Sequence, residues 1–317
     1  MEQLLNDRAA GKGLVQYTVR HTTTYSYADP VSICQNQIHL TPRVTSNQSC
    51  SDFRLEVVPE PVIRRRWVDT FGNDVWYISI EEPHRQLSVT GRSVVGITSR
   101  EIPAPQTTPA WEQVRDALAE AATSELRMAS LFRFESPYIQ FLAAAQAYAA
   151  PCFGVGRPLL EAVLDLTARI HADFTYSPAS TSVTTPTRDV LQRRCGVCQD
   201  FAHLQITCLR GLGLAARYVS GYLVTEPPPG KTKLVGADAS HAWVSVFCPE
   251  FGWIDVDPTN NMIPGQRHVT VGWGRDYGDV CPIQGVFTGG GPHTMNIAVD
   301  VLPIESSSLD HPQAIRV

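Results

Sequence analysis

The 317-residue chain predicts an α+β fold: an N-terminal antiparallel β-sandwich, then helices packed on a second antiparallel sheet. Three observations predict it. The first hundred residues alternate in polarity and are rich in Val, Tyr and Thr; helical apolar spacing takes over after residue 110; alternation returns from residue 241 onward.

The elements follow in order. Leu14 to Tyr27, Val31 to Leu40, Phe53 to Val58 and Leu87 to Ile97 read as strands, and Val68 to Trp76 as a hairpin turning at Gly72-Asn73. Short strands at this spacing suggest a sandwich. Pro103-Ala104-Pro105-Gln106-Thr107-Thr108-Pro109 is a linker. Trp111 to Ala122, Tyr138 to Ala150 and Leu159 to His171 have helical composition. Apolar residues then fall at Phe201, Leu204, Cys208, Leu209 and Leu212, a stripe that ends at Gly211-Leu212-Gly213. The division expected is 1–102 for the β domain, 103–158 for a linker and helical region, 159–265 for the core, and 266–317 for a β extension completing that core.

Composition excludes several classes. With 43% hydrophobic and 18% charged residues and a net charge of −5, the chain reads as globular, without a basic face for nucleic acid. Arg64-Arg65-Arg66 falls in a strand-like stretch and reads as a solvated rim. No apolar run approaches membrane-spanning length. Met1 to Gly13 is polar and lacks a signal core, and eight cysteines fit a reducing compartment, so a cytoplasmic location is expected.

Three segments carry chemistry: Arg194-Cys195-Gly196-Val197-Cys198-Gln199-Asp200-Phe201-Ala202, then Ser240-His241-Ala242-Trp243-Val244, then Gly252-Trp253-Ile254-Asp255-Val256-Asp257-Pro258-Thr259. They supply a thiol, an imidazole and a carboxylate. A thiol attacks as thiolate, so it needs a base, and the base needs an acid to fix its tautomer and stabilise its charge. Cys198, His241 and Asp257 are the expected triad. Cys198 sits at the start of the helix, where the backbone dipole favours a thiolate, and Gly196 permits a tight entry turn. His241 to Cys248 and Trp253 to Asp257 alternate as a hairpin around Cys248-Pro249-Glu250. If Phe247 faces Phe251, His241 lies opposite Asp257 on the same face, and the strand stops at Pro258. Asp255 shares that face, and Asp200 or Asp238 could orient the histidine instead.

The ordered Cys, His and Asp with these flanks resemble the transglutaminase-like superfamily, a branch of the papain-like cysteine enzymes. Tyr17-Thr18-Val19-Arg20-His21-Thr22-Thr23-Thr24-Tyr25 and Asn36-Gln37-Ile38-His39-Leu40-Thr41-Pro42-Arg43 resemble the N-terminal β domain of bacterial members. The resemblance implies a papain-like core and favours Asp257 as the acid, since the family's acid begins an Asp-Pro-Thr motif. It implies a class of acyl transfer, with cross-linkers, deamidases and suspected hydrolases among its members.

Other readings are weighed alongside. Cys195 and Cys198 form a Cys-x-x-Cys pair, which permits a redox function or a reversible disulfide, though not in a small βαβ setting. His203 and Cys208 give no second close pair for zinc. His21 and His39 read as sheet residues, Gly289-Gly290-Gly291 as a turn, and Asp276-Tyr277-Gly278-Asp279 lacks the calcium-loop pattern. The loops Ser177 to Ser182 and Thr225 to Gly230 border the cleft as connectors or gates. The oxyanion of the tetrahedral intermediate needs donors, for which the Cys198 N–H and Tyr176 are the candidates. The expectation is a cofactor-free and metal-free peptidase or amidase acting on protein or peptide substrates, with amine transfer second and a catalytically silent binding module third.

Overall fold

A computed structural model describes residues 13–178, 180–225 and 239–304. The N-terminal strands are β1 Val15–Ile38, β2 Gln48–Val58, β3 Ile63–Val68, β4 Asp74–Ile80 and β5 His84–Ile97. The two strands expected over residues 14–40 are one long strand, whose pairing with β5 shifts between Ser26 and Val31. That irregularity lets β1 serve two halves of one antiparallel sheet, ordered β2-β5-β1-β4-β3. Leu55, Val57, Leu87 and Val89 from one half meet Ile38, Ile78 and Ile80 from the other in a shared core. β3, which carries Arg64-Arg65-Arg66, is the exposed edge.

Six helices follow: α1 Trp111–Glu120, α2 Ser124–Ser130, α3 Ala143–Ala149, α4 Leu159–Asp173, α5 Thr187–Arg193 and α6 Cys198–Gly211. The helix expected from Tyr138 begins only at Ala143, because Ser136 and Ile139 pair with each other across a turn. Two-residue strands β6 Thr175–Tyr176 and β7 Cys195–Gly196 pair in parallel. The core sheet comprises β8 Ala216–Leu223, β9 Ala239–Cys248, β10 Gly252–Val256 and β11 His268–Gly274, in the order β10-β9-β8-β11. α6 is buried along nearly its whole length, and Phe201, Leu204 and Cys208 join Ala242, Val244 and Val246 of β9 in the largest apolar core.

Within the segment expected over 266–317, the described residues 266–304 divide between the two sheets. β11 completes the core, but β12 Ile283–Gly289 and β13 His293–Pro303 return to pair with β1. β1 lies mid-sheet and has two edges to satisfy; β4 and β5 take one and the returning strands the other. Gly289, Gly290 and Gly291 all have positive φ and form the turn between β12 and β13.

Side chains join the two sheets. Gln48 mimics a strand against the outer edge of β11: its Nε2–H donates to the Thr270 carbonyl at 2.7 Å, and its Oε1 accepts from the Thr270 N–H at 2.8 Å. Asn73, at the tip of the β3–β4 hairpin, does the same for Trp273, with distances of 2.8 Å to its carbonyl and 3.0 Å from its N–H. Both amides are buried.

Candidate active site

Helix α6 begins at Cys198, so the Cys198 N–H is one of the first-turn donors without a partner inside the helix. Asp200 shapes the entry. Its Oδ2 accepts from the Val197 N–H at 2.8 Å and from the Thr181 hydroxyl at 2.7 Å. A Cβ on Gly196 would stand 2.8 Å from Asp200 Oδ2 and 2.8 Å from its Cβ, so a glycine is required there by close approach. Asp200 therefore caps the helix rather than orienting an imidazole, and burial raises its pKa.

The β9–β10 hairpin brings histidine and acid together by a different register from the one expected. Phe247 pairs with Trp253 and Cys248 with Gly252, because the Phe251 N–H closes a turn onto the Cys248 carbonyl and positive φ at Glu250 and Gly252 widens the loop. The displacement is two residues, an even number, so the face is kept and the contact becomes diagonal. β10 ends at Val256; Asp257 bridges to Met262. His241 Nε2–H reaches Asp257 Oδ2 at 2.7 Å, with both side chains buried.

Cys198 is partly buried and lies close enough to His241 to act on its pKa. Since Nε2 serves Asp257, Nδ1 is left to face the thiol. Burial works against a charged imidazole, but Asp257 and Cys198 together outweigh it and raise the His241 pKa. Asp257 is fully buried, which opposes its charge; the two histidines it faces nevertheless hold its carboxyl well below the usual range.

Two participants were not foreseen. Asn260 donates its amide to Asp257 Oδ2 at 2.8 Å, while the N–H groups of Thr259 and Asn260 meet Oδ1 at 2.9 and 3.2 Å. The Asp-Pro-Thr-Asn sequence was a readable signal, since an Asp side chain commonly takes the N–H two residues on. His268 of β11 places Nε2 at 3.3 Å from Asp257 Oδ2. Nothing local marks it; only tertiary pairing of β11 with β8 brings it there.

The other candidates take different positions. Tyr176, on β6 beside β7, lies near Cys198; burial and then the neighbouring thiol raise its pKa, so its phenol remains a donor at neutral pH. Asp255 accepts from the Trp243 indole N–H at 3.2 Å. His203 is buried, accepts from the Tyr277 N–H at 3.2 Å, and burial lowers its pKa to about 3. Cys208 faces the Ala145 carbonyl at 3.3 Å, and burial pushes its thiol up to about 12. Cys195 and Cys198 are both free thiols. His21 bonds Tyr222 and Thr23, and His39 the Cys281 carbonyl. Asp238 and residues 226–230 of the second loop lie outside the described residues, as do residues 1–12.

Among the described residues, one group gathers metal-ligand atoms: His241, Asp257 and His268, all within 4.8 Å of one another. Both histidines direct Nε2 at one carboxylate oxygen. With the carboxylate as acceptor, each ring would donate an N–H to it.

Residues 17–96 match the bacterial transglutaminase-like N-terminal region, and residues 146–258 match the transglutaminase-like superfamily. An uncharacterised protein of Mycobacterium tuberculosis is 41% identical over 305 residues, covering 94% of this chain and 96% of the relative. The chain belongs to the transglutaminase-like superfamily. An uncharacterised protein of Mycobacterium leprae is 31% identical over 286 residues, 89% of this chain and 97% of its own. A protein-glutamine gamma-glutamyltransferase of Pseudomonas aeruginosa is 36% identical over 97 residues, 30% of this chain but 14% of that protein. The fold is shared with a candidate cysteine protease of Cytophaga hutchinsonii, with a TM-score of 0.72 at 21% identity, covering 93% of this chain and 92% of the other. No helix among the described residues is long and apolar enough to cross a membrane.

Proposed function

We propose that the protein is a cysteine-dependent acyl-transfer enzyme that hydrolyses peptide or isopeptide bonds through a thioester on Cys198. The observation that carries this reading is the unbroken chain from thiol through imidazole to a buried carboxylate, with 2.7 Å between His241 Nε2 and Asp257 Oδ2. Cys198 Sγ, as thiolate, attacks the amide carbonyl. The C–N bond breaks as His241 Nδ1 gives its proton to the leaving amine. Water then attacks the thioester with His241 as base, releasing the acid and restoring the thiolate. Asp257 stabilises the imidazolium throughout and sets the tautomer. The Cys198 N–H and the Tyr176 phenol are the oxyanion donors, each contributing on the order of a hundredfold in rate. Water reaches the thioester readily, since Tyr176, beside the nucleophile, is 52% exposed.

Amine transfer is the second reading, favoured by the kinship with the Pseudomonas gamma-glutamyltransferase. One experiment separates the two. The folded protein is incubated with a glutamine-containing peptide, with and without a primary amine, and products are read by mass. Backbone cleavage supports peptide hydrolysis, deamidation or an amine adduct at the glutamine supports the second reading, and all should vanish in Cys198→Ala. Should varied peptides stay intact even when amine is present, the enzyme reading yields to a binding module.

A further inference from the structure

Behind the triad, where residues 45–48 of the N-terminal sheet approach the core sheet, lies a cavity of about 280 Å³. It is lined in part by Arg217, Trp253, Trp273, His268 and Arg100. Arg217, on β8, is only 8% exposed, and its guanidinium stacks with Trp253 at 4.3 Å and Trp273 at 3.7 Å. Trp273 comes from β11, beside β8, and Trp253 from β10, one strand beyond β9 on the other side, so the guanidinium is packed against two ring faces. Among the described residues Arg217 has no ion pair, and its buried Nε has no acceptor.

A buried guanidinium without an acceptor is expensive, and burial lowers its pKa to about 9. The surrounding charge fits an anion. Arg43 stacks on Trp273 at 3.5 Å, and Arg217 and Arg100 outnumber the one carboxylate of the lining, Asp255, whose charge acts on Arg217 and whose Oδ2 accepts from the Trp243 indole N–H. A second unpartnered group faces the same cavity: His268 is 6% exposed, and its Nδ1 has no partner. Two independent polar groups, both more than nine-tenths buried, thus await a ligand.

We infer that this cavity binds a small carboxylate with an apolar body. The planar carboxylate meets the guanidinium of Arg217 in plane, the geometry a guanidinium offers best. The apolar body lies against the indoles. His268 also touches Asp257 at 3.3 Å, so occupancy of the cavity is linked to the position of the carboxylate beside His241. The binding itself does not depend on catalysis by Cys198.

Calorimetric titration of the full chain tests this with three probes: benzoate, its neutral analogue benzamide, and inorganic phosphate. Benzoate should bind saturably, with benzamide and phosphate at least tenfold weaker. Arg217→Lys, which keeps the charge but loses the planar fork, should weaken benzoate at least tenfold, Arg100→Ala severalfold, and Cys198→Ala not at all. Equal binding of benzoate and benzamide, a preference for phosphate, no saturation, or undiminished affinity in folded Arg217→Lys would overturn the inference. If Arg217→Lys does not fold, the benzoate-to-benzamide ratio and Arg100→Ala decide it.

Discussion

Asp257 is the residue on which most of the site converges. Two imidazoles, one side-chain amide and two backbone N–H groups serve its two oxygens. Its carboxyl is held low, so the stability it contributes is present above the unfolded value of about 3.9 and is lost as pH falls below it. His241 is raised, so its contribution is complete below the unfolded value of about 6.5 and is lost as pH climbs toward about 10. The difference in unfolding free energy between wild type and Asp257→Asn should therefore peak between about pH 4 and 6.5, at about 3 kcal/mol. Denaturant titrations across pH check it; a difference that stays flat across the range would contradict this assignment of charge. The meeting of Cys198, His241 and Asp257 was legible because each carries a distinctive neighbour: a helix start, an alternating strand, an Asp-Pro-Thr turn. His268 was not, since a histidine in an alternating strand looks the same whether it faces solvent or a buried carboxylate.

At the scale of elements, the hairpin shows how far alternation carries. It fixes which residues share a face but not the offset, which the loop sets. The widened turn at Glu250 and Gly252 moved the pairing by two residues, and the expected contact survived because two is even. The edge of β11 depends on a device no pattern reveals, the amides of Gln48 and Asn73 standing in for a neighbouring strand. Gln48→Ala would strand the Thr270 N–H, while the Thr270 carbonyl keeps the Arg43 N–H at 3.0 Å, and should lower stability by about 2 kcal/mol. The loss should appear in the denaturation midpoint with no change in the chemistry of Cys198. A variant as stable as wild type would show that water replaces the amide without penalty.

Across the whole molecule, the helical and sheet character of most segments was readable from periodicity, while connectivity was not. A β extension is expected over 266–317 to complete the core, yet its strands β12 and β13 join the other sheet, where the unsatisfied edge of the long β1 takes them. Core and N-terminal sheet are consequently interleaved, with the chain leaving that sheet after β5, building the core, and returning to pair with β1. The thiol, imidazole and carboxylate come together only when that circuit is folded, so an activated cysteine is a property of the native state. The most direct test is intact-mass analysis after iodoacetamide, at neutral and mildly acidic pH, on wild type, Cys198→Ala and His241→Ala. The account predicts rapid single labelling of the wild type that persists at mildly acidic pH, is abolished in Cys198→Ala and is strongly slowed in His241→Ala. Slow labelling of the wild type, unchanged when His241 is removed, would contradict it.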